Sequence, residues 1–127
     1  KESVSFEGDT GPYLQYTYAR ASAILRKSEH IDAATYKNLS HLEDAIIILL
    51  SRFPETVRES LLTKRPHIIA HYLIELARTF NEFYHKSPVL VESDIIIRNN
   101  RLHIVNATKQ VIGNGLRLLG SQPLERM

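Results

Sequence analysis

Tyr13, Tyr16, Arg20 and Lys27 fall within one short stretch of the chain. Projected at about 100° per residue they share one side of a helix. Flat rings beside cations hold unstacked nucleotides: a base stacked on an aromatic side chain is worth roughly 1–3 kcal/mol, with the cations close to phosphates. Spacing leaves a second reading open, and tyrosines often take it: both rings wedge against a neighbouring helix with hydroxyls at the rim. A separate stripe of the same helix, Leu14, Tyr18, Ala21 and Leu25, has the character of an ordinary core face.

Other constellations carry less. His67-Ile-Ile-Ala-His71 has the i, i+4 spacing by which two imidazoles bind one metal, but Ile68 stands where a metalloprotease has its glutamate, and no third ligand suggests itself. Two solvated histidines are the expectation. Gly8-Asp-Thr-Gly11 lacks the length and the lysine of a phosphate-gripping loop. Arg20 to Lys27 and Arg98-Asn-Asn-Arg101 are short basic groups that could meet phosphates, although a solvated face accounts for the second. With no cysteine, no Gly-x-Ser-x-Gly elbow and no motif-like carboxylate pair, no catalytic residue is assigned.

Helices must position these groups. Asp9 or Thr10 reads as an N-cap with Pro12 in the first turn, opening a helix to about Ser28. Ser40-His-Leu-Glu43 has the spacing of a capping box ahead of the apolar run Ala45 to Leu50, as for a buried helix that Pro54 ends or kinks. A short helix over 54–63 follows, then a longer one from Pro66 to about His85, closed by Pro88. On the longer one Ile69, Leu73, Leu76, Phe80, Phe83 and Tyr84 face one way, with His67, His71, Arg78 and Glu82 opposite. Asp94-Ile-Ile-Ile97 is either a short strand or a helical lead-in, and a last helix spans 101–119 with Leu118 and Leu119 in its apolar stripe. Gly113 and Gly115 lie inside that helix, where a missing side chain lets a neighbour approach. Residues 32–39 read as a connection. The expected fold is one all-α domain over 1–127, a bundle of about five helices with 1–10 as its leading loop.

Composition agrees. At 127 residues and 43% hydrophobic, the chain suits a single core burying roughly two-thirds of its unfolded surface. Sixteen basic and fourteen acidic residues leave a net charge of only +2, so any polyanion site must come from local arrangement. The absence of cysteine, of a membrane-length apolar run and of a signal-like N-terminus leads to an expected cytoplasmic location without a membrane partner.

Phe6-Glu-Gly-Asp-Thr-Gly-Pro-Tyr-Leu-Gln-Tyr-Thr-Tyr-Ala-Arg20 resembles the opening of the C-terminal anticodon-binding (DALR) domain of arginyl-tRNA synthetases. Pro66 to Tyr84 is similar to that family's long helix, and Arg101-Leu102 through Gly115-Leu-Arg-Leu-Leu-Gly120 to Pro123-Leu-Glu-Arg-Met127 to its last helix and its ending at methionine. The matches occur in family order. Ser121, where the family often has isoleucine, and 93–100 depart from it. The resemblance implies tRNA-Arg as partner, with the catalytic domain of the same synthetase. The loop Phe6, Glu7, Gly8 and Asp9, the helix tyrosines Tyr13 and Tyr16, Tyr72 on the long helix and Met127 would approach the anticodon loop, and Arg20 joins them from the projection. It also implies that a separate domain of a class I ligase uses ATP and Mg to activate arginine, that this domain needs no cofactor, and that the chain alone is inactive. A freestanding RNA- or protein-binding module of this type, or a helical scaffold without RNA, is the alternative.

Overall fold

The computed structural model describes residues 10–28 and 31–127, and every regular element among them is an α-helix: α1 Gly11–Lys27, α2 His41–Ser51, α3 Phe53–Thr63, α4 His67–Lys86 and α5 Ile95–Leu118. The five-helix expectation holds. Ser40 Oγ accepts from Glu43 N (3.1 Å) and Glu43 Oε1 from Ser40 N (3.0 Å), completing the capping box of α2. Pro54 starts α3 rather than kinking α2. Thr10 occupies the cap position of α1 without a side-chain cap bond, and Asp9 lies outside the described residues.

One boundary moves. The apolar triplet at 95–97 is the helical lead-in and not the strand: Asp94 Oδ1 accepts from Ile96 N (2.9 Å) and Ile97 N (3.2 Å) and so starts α5 six residues earlier than Arg101. The β-branched isoleucines suit a strand as well, which is why both alternatives stand in the sequence; the capping aspartate decides for the helix. Leu118 is also corrected, standing exposed beyond the buried stripe.

The core has two lobes. Leu14, Tyr18, Leu73, Leu76 and Leu116 fill one, with Leu49 and Tyr72; Phe80, Phe83, Ile46, Leu102 and Val105 fill the other, with Ala21 and Ile24. Helix α1 lies chiefly against α5. The connection over 32–39 has no regular structure and is pinned to α5: Asn100 Oδ1 accepts from Thr35 N (3.0 Å) and Tyr36 N (3.2 Å), and His103 Nε2 donates to the Asp32 carbonyl (2.6 Å).

Gly115 marks a close approach of α4 to α5. A Cβ there would lie 2.5 Å from Leu73 Cδ1 and 3.0 Å from its Cγ, and Leu73 is fully buried with no room to swing. Gly115→Ala should therefore cost about 1–2 kcal/mol net, overpacking outweighing the gain in helix propensity. Urea denaturation reads this, and a stabilised variant would contradict the close approach.

Candidate nucleic-acid interface

Helix α1 turns its candidates in different directions. Leu14, Tyr18 and Ala21 are buried as expected. Tyr13 is only half outward: its ring packs against the first core lobe and its hydroxyl accepts from Asn81 Nδ2 (3.1 Å). Tyr16 is 47% exposed. Arg20 reaches across to it, donating from Nη2 to the Tyr16 hydroxyl (2.6 Å), with its guanidinium carbon 4.9 Å from the Tyr16 ring centre and 4.3 Å from that of Tyr84 on α4. A planar cation thus contacts two rings on adjacent helices.

That cluster opens a groove of about 710 Å³ between α1, the C-terminal end of α4 and the 88–91 turn, with Lys27 and His85 at its edges. Arg101 holds the turn: its Nη1 donates to the Pro88 carbonyl (2.6 Å) and to Glu92 Oε1 (3.2 Å), while its Nε meets Glu43 Oε2 at 2.8 Å. One half-buried arginine therefore connects the α2 cap, α5 and the groove wall.

The C-terminal tail supplies a second wall. Gly120, at φ +88°, ends α5 in a conformation that glycine adopts without a Cβ penalty, and Ser121 N and Gly120 N close back on Leu116 O and Arg117 O. The tail then lies along α1. Gln15 clasps it with both ends of its amide, Nε2 to the Gln122 carbonyl and Oε1 from Leu124 N, each 2.9 Å. Tyr18 Oη donates to Glu125 Oε2 (3.0 Å), and Lys109 Nζ lies 3.4 Å from Oε1. Met127, 69% exposed, consequently lines a smaller recess with Tyr16, Arg20, Arg26 and Arg126. Its one acidic side chain, Glu125, is engaged with Tyr18, Lys109 and Arg26, and Arg20 and Arg126 stand beside the rings.

The Tyr18 hydrogen bond, helped by Lys109, holds the Glu125 carboxyl below its ordinary value, while burial and then Glu125 push the Tyr18 phenol up. Between the two carboxyl values the unfolded chain binds the proton and the folded chain does not, so this contribution is complete above 4.5 and is lost as pH falls through the lowered folded value. Acid titration of the Leu124 amide signal should show the tail loosening in that window. Glu125→Gln should remove the step.

Tyr72 requires a correction. It is 7% exposed, its ring stacks on Phe53 (centroids 5.8 Å), and its hydroxyl donates to the Leu49 carbonyl (2.6 Å); burial raises its phenol pKa well above the usual value. It closes the core rather than facing the groove. Phe6, Glu7, Gly8 and Asp9 lie outside the described residues. His67 and His71 sit ring to ring (5.6 Å), and among the described residues no group of three or more His, Cys, Asp or Glu could hold a metal. Sequence reasoning missed Tyr84, Asn81 and Gln15. Tyr84 was visible as the outermost member of the apolar stripe of α4, an amphipathic ring next to His85; nothing local marks the other two.

A family model for the DALR anticodon binding domain matches residues 14–127. An arginine–tRNA ligase of Clostridioides difficile is 40% identical over the whole chain, and one of Pyrococcus abyssi 42% identical, the alignments covering 23% and 21% of those proteins. The structure superposes on a Thermus thermophilus arginyl-tRNA synthetase with a TM-score of 0.88 and 38% identity, covering 97% of this chain and 22% of that one. The chain thus spans between a fifth and a quarter of these relatives.

Proposed function

The chain belongs to the DALR anticodon-binding domain family, and from that premise we propose that it recognises the anticodon loop of tRNA-Arg as part of an arginine–tRNA ligase. The observation that carries the reading is the gathering of exposed Tyr16 and Met127 with half-buried Arg20 on one surface, with Tyr84 beside them across the groove. Unpaired loop bases stack on the rings, side-chain amides and backbone groups meet their edges, and arginines and lysines take the phosphates. Tyr13 stands at the rim of this surface, and the resemblance assigns Phe6, Glu7, Gly8 and Asp9, which precede α1 in sequence, to the same contact.

Charging tRNA-Arg with arginine, using ATP and Mg, belongs to the catalytic domain that the relatives' remaining length would hold. Binding energy from the anticodon loop would position the acceptor end there, so losing it weakens aminoacylation without touching the reacting groups. Among the described residues no helix is long and apolar enough to cross a membrane; that the protein works alongside cytoplasmic translation belongs to the same proposal.

The test compares binding of tRNA-Arg with that of the same tRNA altered only in its anticodon, at one fixed salt concentration. Tighter binding of the unaltered tRNA is expected. Equal affinity would identify a general RNA-binding module, and no binding by either would leave a helical scaffold.

A further inference from the structure

Asn81 lies on α4 beneath the ring and cation cluster. Its Oδ1 accepts from Arg20 Nη1 at 2.8 Å, and its Nδ2 donates to Tyr13 Oη and Thr17 Oγ1, both at 3.1 Å. Arginine has no acceptor, so the amide oxygen must face Arg20 and the amide hydrogens must face the two hydroxyls. Thr17 passes its own hydrogen to the Tyr13 carbonyl (3.0 Å), which leaves its oxygen free to accept. Each polar atom of the amide is used, and the side chain bridges α1 and α4.

We propose that Asn81 is the positioning residue of the RNA surface, orienting the Arg20 guanidinium between Tyr16 and Tyr84 without neutralising it; the inference rests on the tRNA reading above. A long surface arginine samples many rotamers, and ordering it on RNA binding reduces affinity. Here the fork is already set: Nη1 on Asn81, Nη2 on the Tyr16 hydroxyl, the plane against two rings. A carboxylate in the same place would hold the fork as firmly but would cancel its charge where a phosphate is to sit. A neutral amide orients the cation and keeps its charge for the ligand. The same amide sets Tyr13, so the rim ring and the arginine are held by one group.

The experiment measures binding of an unmodified tRNA-Arg transcript to the chain and to its Asn81→Ala, Arg20→Ala, double and Asn81→Asp variants, over a range of salt, with thermal denaturation of each. Asn81→Ala should weaken binding by about tenfold, as for loss of one hydrogen bond to a charged group. Arg20→Ala should cost at least as much, and the double variant no more than Arg20→Ala alone, because Asn81 acts through Arg20. Asn81→Asp, which retains an acceptor for Arg20 and guards against misfolding of the alanine variant, should bind more weakly and with a shallower salt dependence, one cation having been neutralised. Additive losses in the cycle, or Asn81→Asp binding with wild-type affinity and salt slope, would overturn the inference and leave the tRNA reading standing. Wild-type affinity in Arg20→Ala would instead remove Arg20 from the interface, and the inference with it.

Discussion

Tyr16→Ala should weaken tRNA binding by about 1–3 kcal/mol, roughly fivefold to more than a hundredfold, because one base loses its aromatic platform. Tyr84→Leu should act similarly. Leucine keeps an apolar body against the second core lobe, on which Tyr84 packs, while removing the flat face that Arg20 covers. The stability cost should be small for Tyr16, which is 47% exposed. Filter binding and thermal denaturation on the same samples separate the two effects. If Tyr16→Ala instead lowers the melting temperature and leaves RNA affinity intact, the ring is a structural wedge and the stacking account fails.

The largest effect on stability is expected at Arg101. Its side chain is 13% exposed and that of its partner Glu43 5% exposed. Arg101→Met would leave a buried carboxylate without its cation, still accepting from the backbone N–H of Ser40. Breaking a buried ion pair from one side costs about 3–5 kcal/mol, a large part of the roughly 5–15 kcal/mol that holds a typical domain together. Pro88 and Glu92 would lose their anchor as well, loosening the groove wall. Adding Glu43→Gln should recover much of the loss, since an amide keeps the cap oxygen and removes the stranded charge. Urea denaturation of the single and double variants measures this; equal losses in both would show that the penalty does not arise from uncompensated charge.

Local chemistry made the helices legible. The Ser40 and Glu43 capping box, Pro54, Pro66 and the 3.6-residue stripes act within a few residues, and they mark α1, α2, α3 and α4 correctly. Where local signals compete, at Ile95 to Ile97, the sequence leaves strand and helical lead-in both open, and the Asp94 cap decides for the helix. The site was legible only in part. Tyr16 and Arg20 share a face by helical periodicity, and the resemblance pointed to Met127.

Which tyrosine meets solvent was a tertiary decision. A helical projection gives the angle of a side chain but not how far neighbouring helices wrap around it. Tyr72 projects only to the edge of the apolar stripe of α4, and Phe53 and the Leu49 carbonyl enclose it; Tyr84 projects inward and packs on the second core lobe, yet keeps a ring face that Arg20 covers. Four of the five helices, the apolar face of α1 and the family could be read from local residue patterns. The assembly of Tyr16, Arg20, Tyr84 and Met127 into one surface came from the Asn81 bridge and the Gln15 clasp, contacts between residues more than sixty and more than a hundred positions apart. Such contacts leave no periodic trace in the chain, because they depend on how helices cross rather than on what any one helix contains.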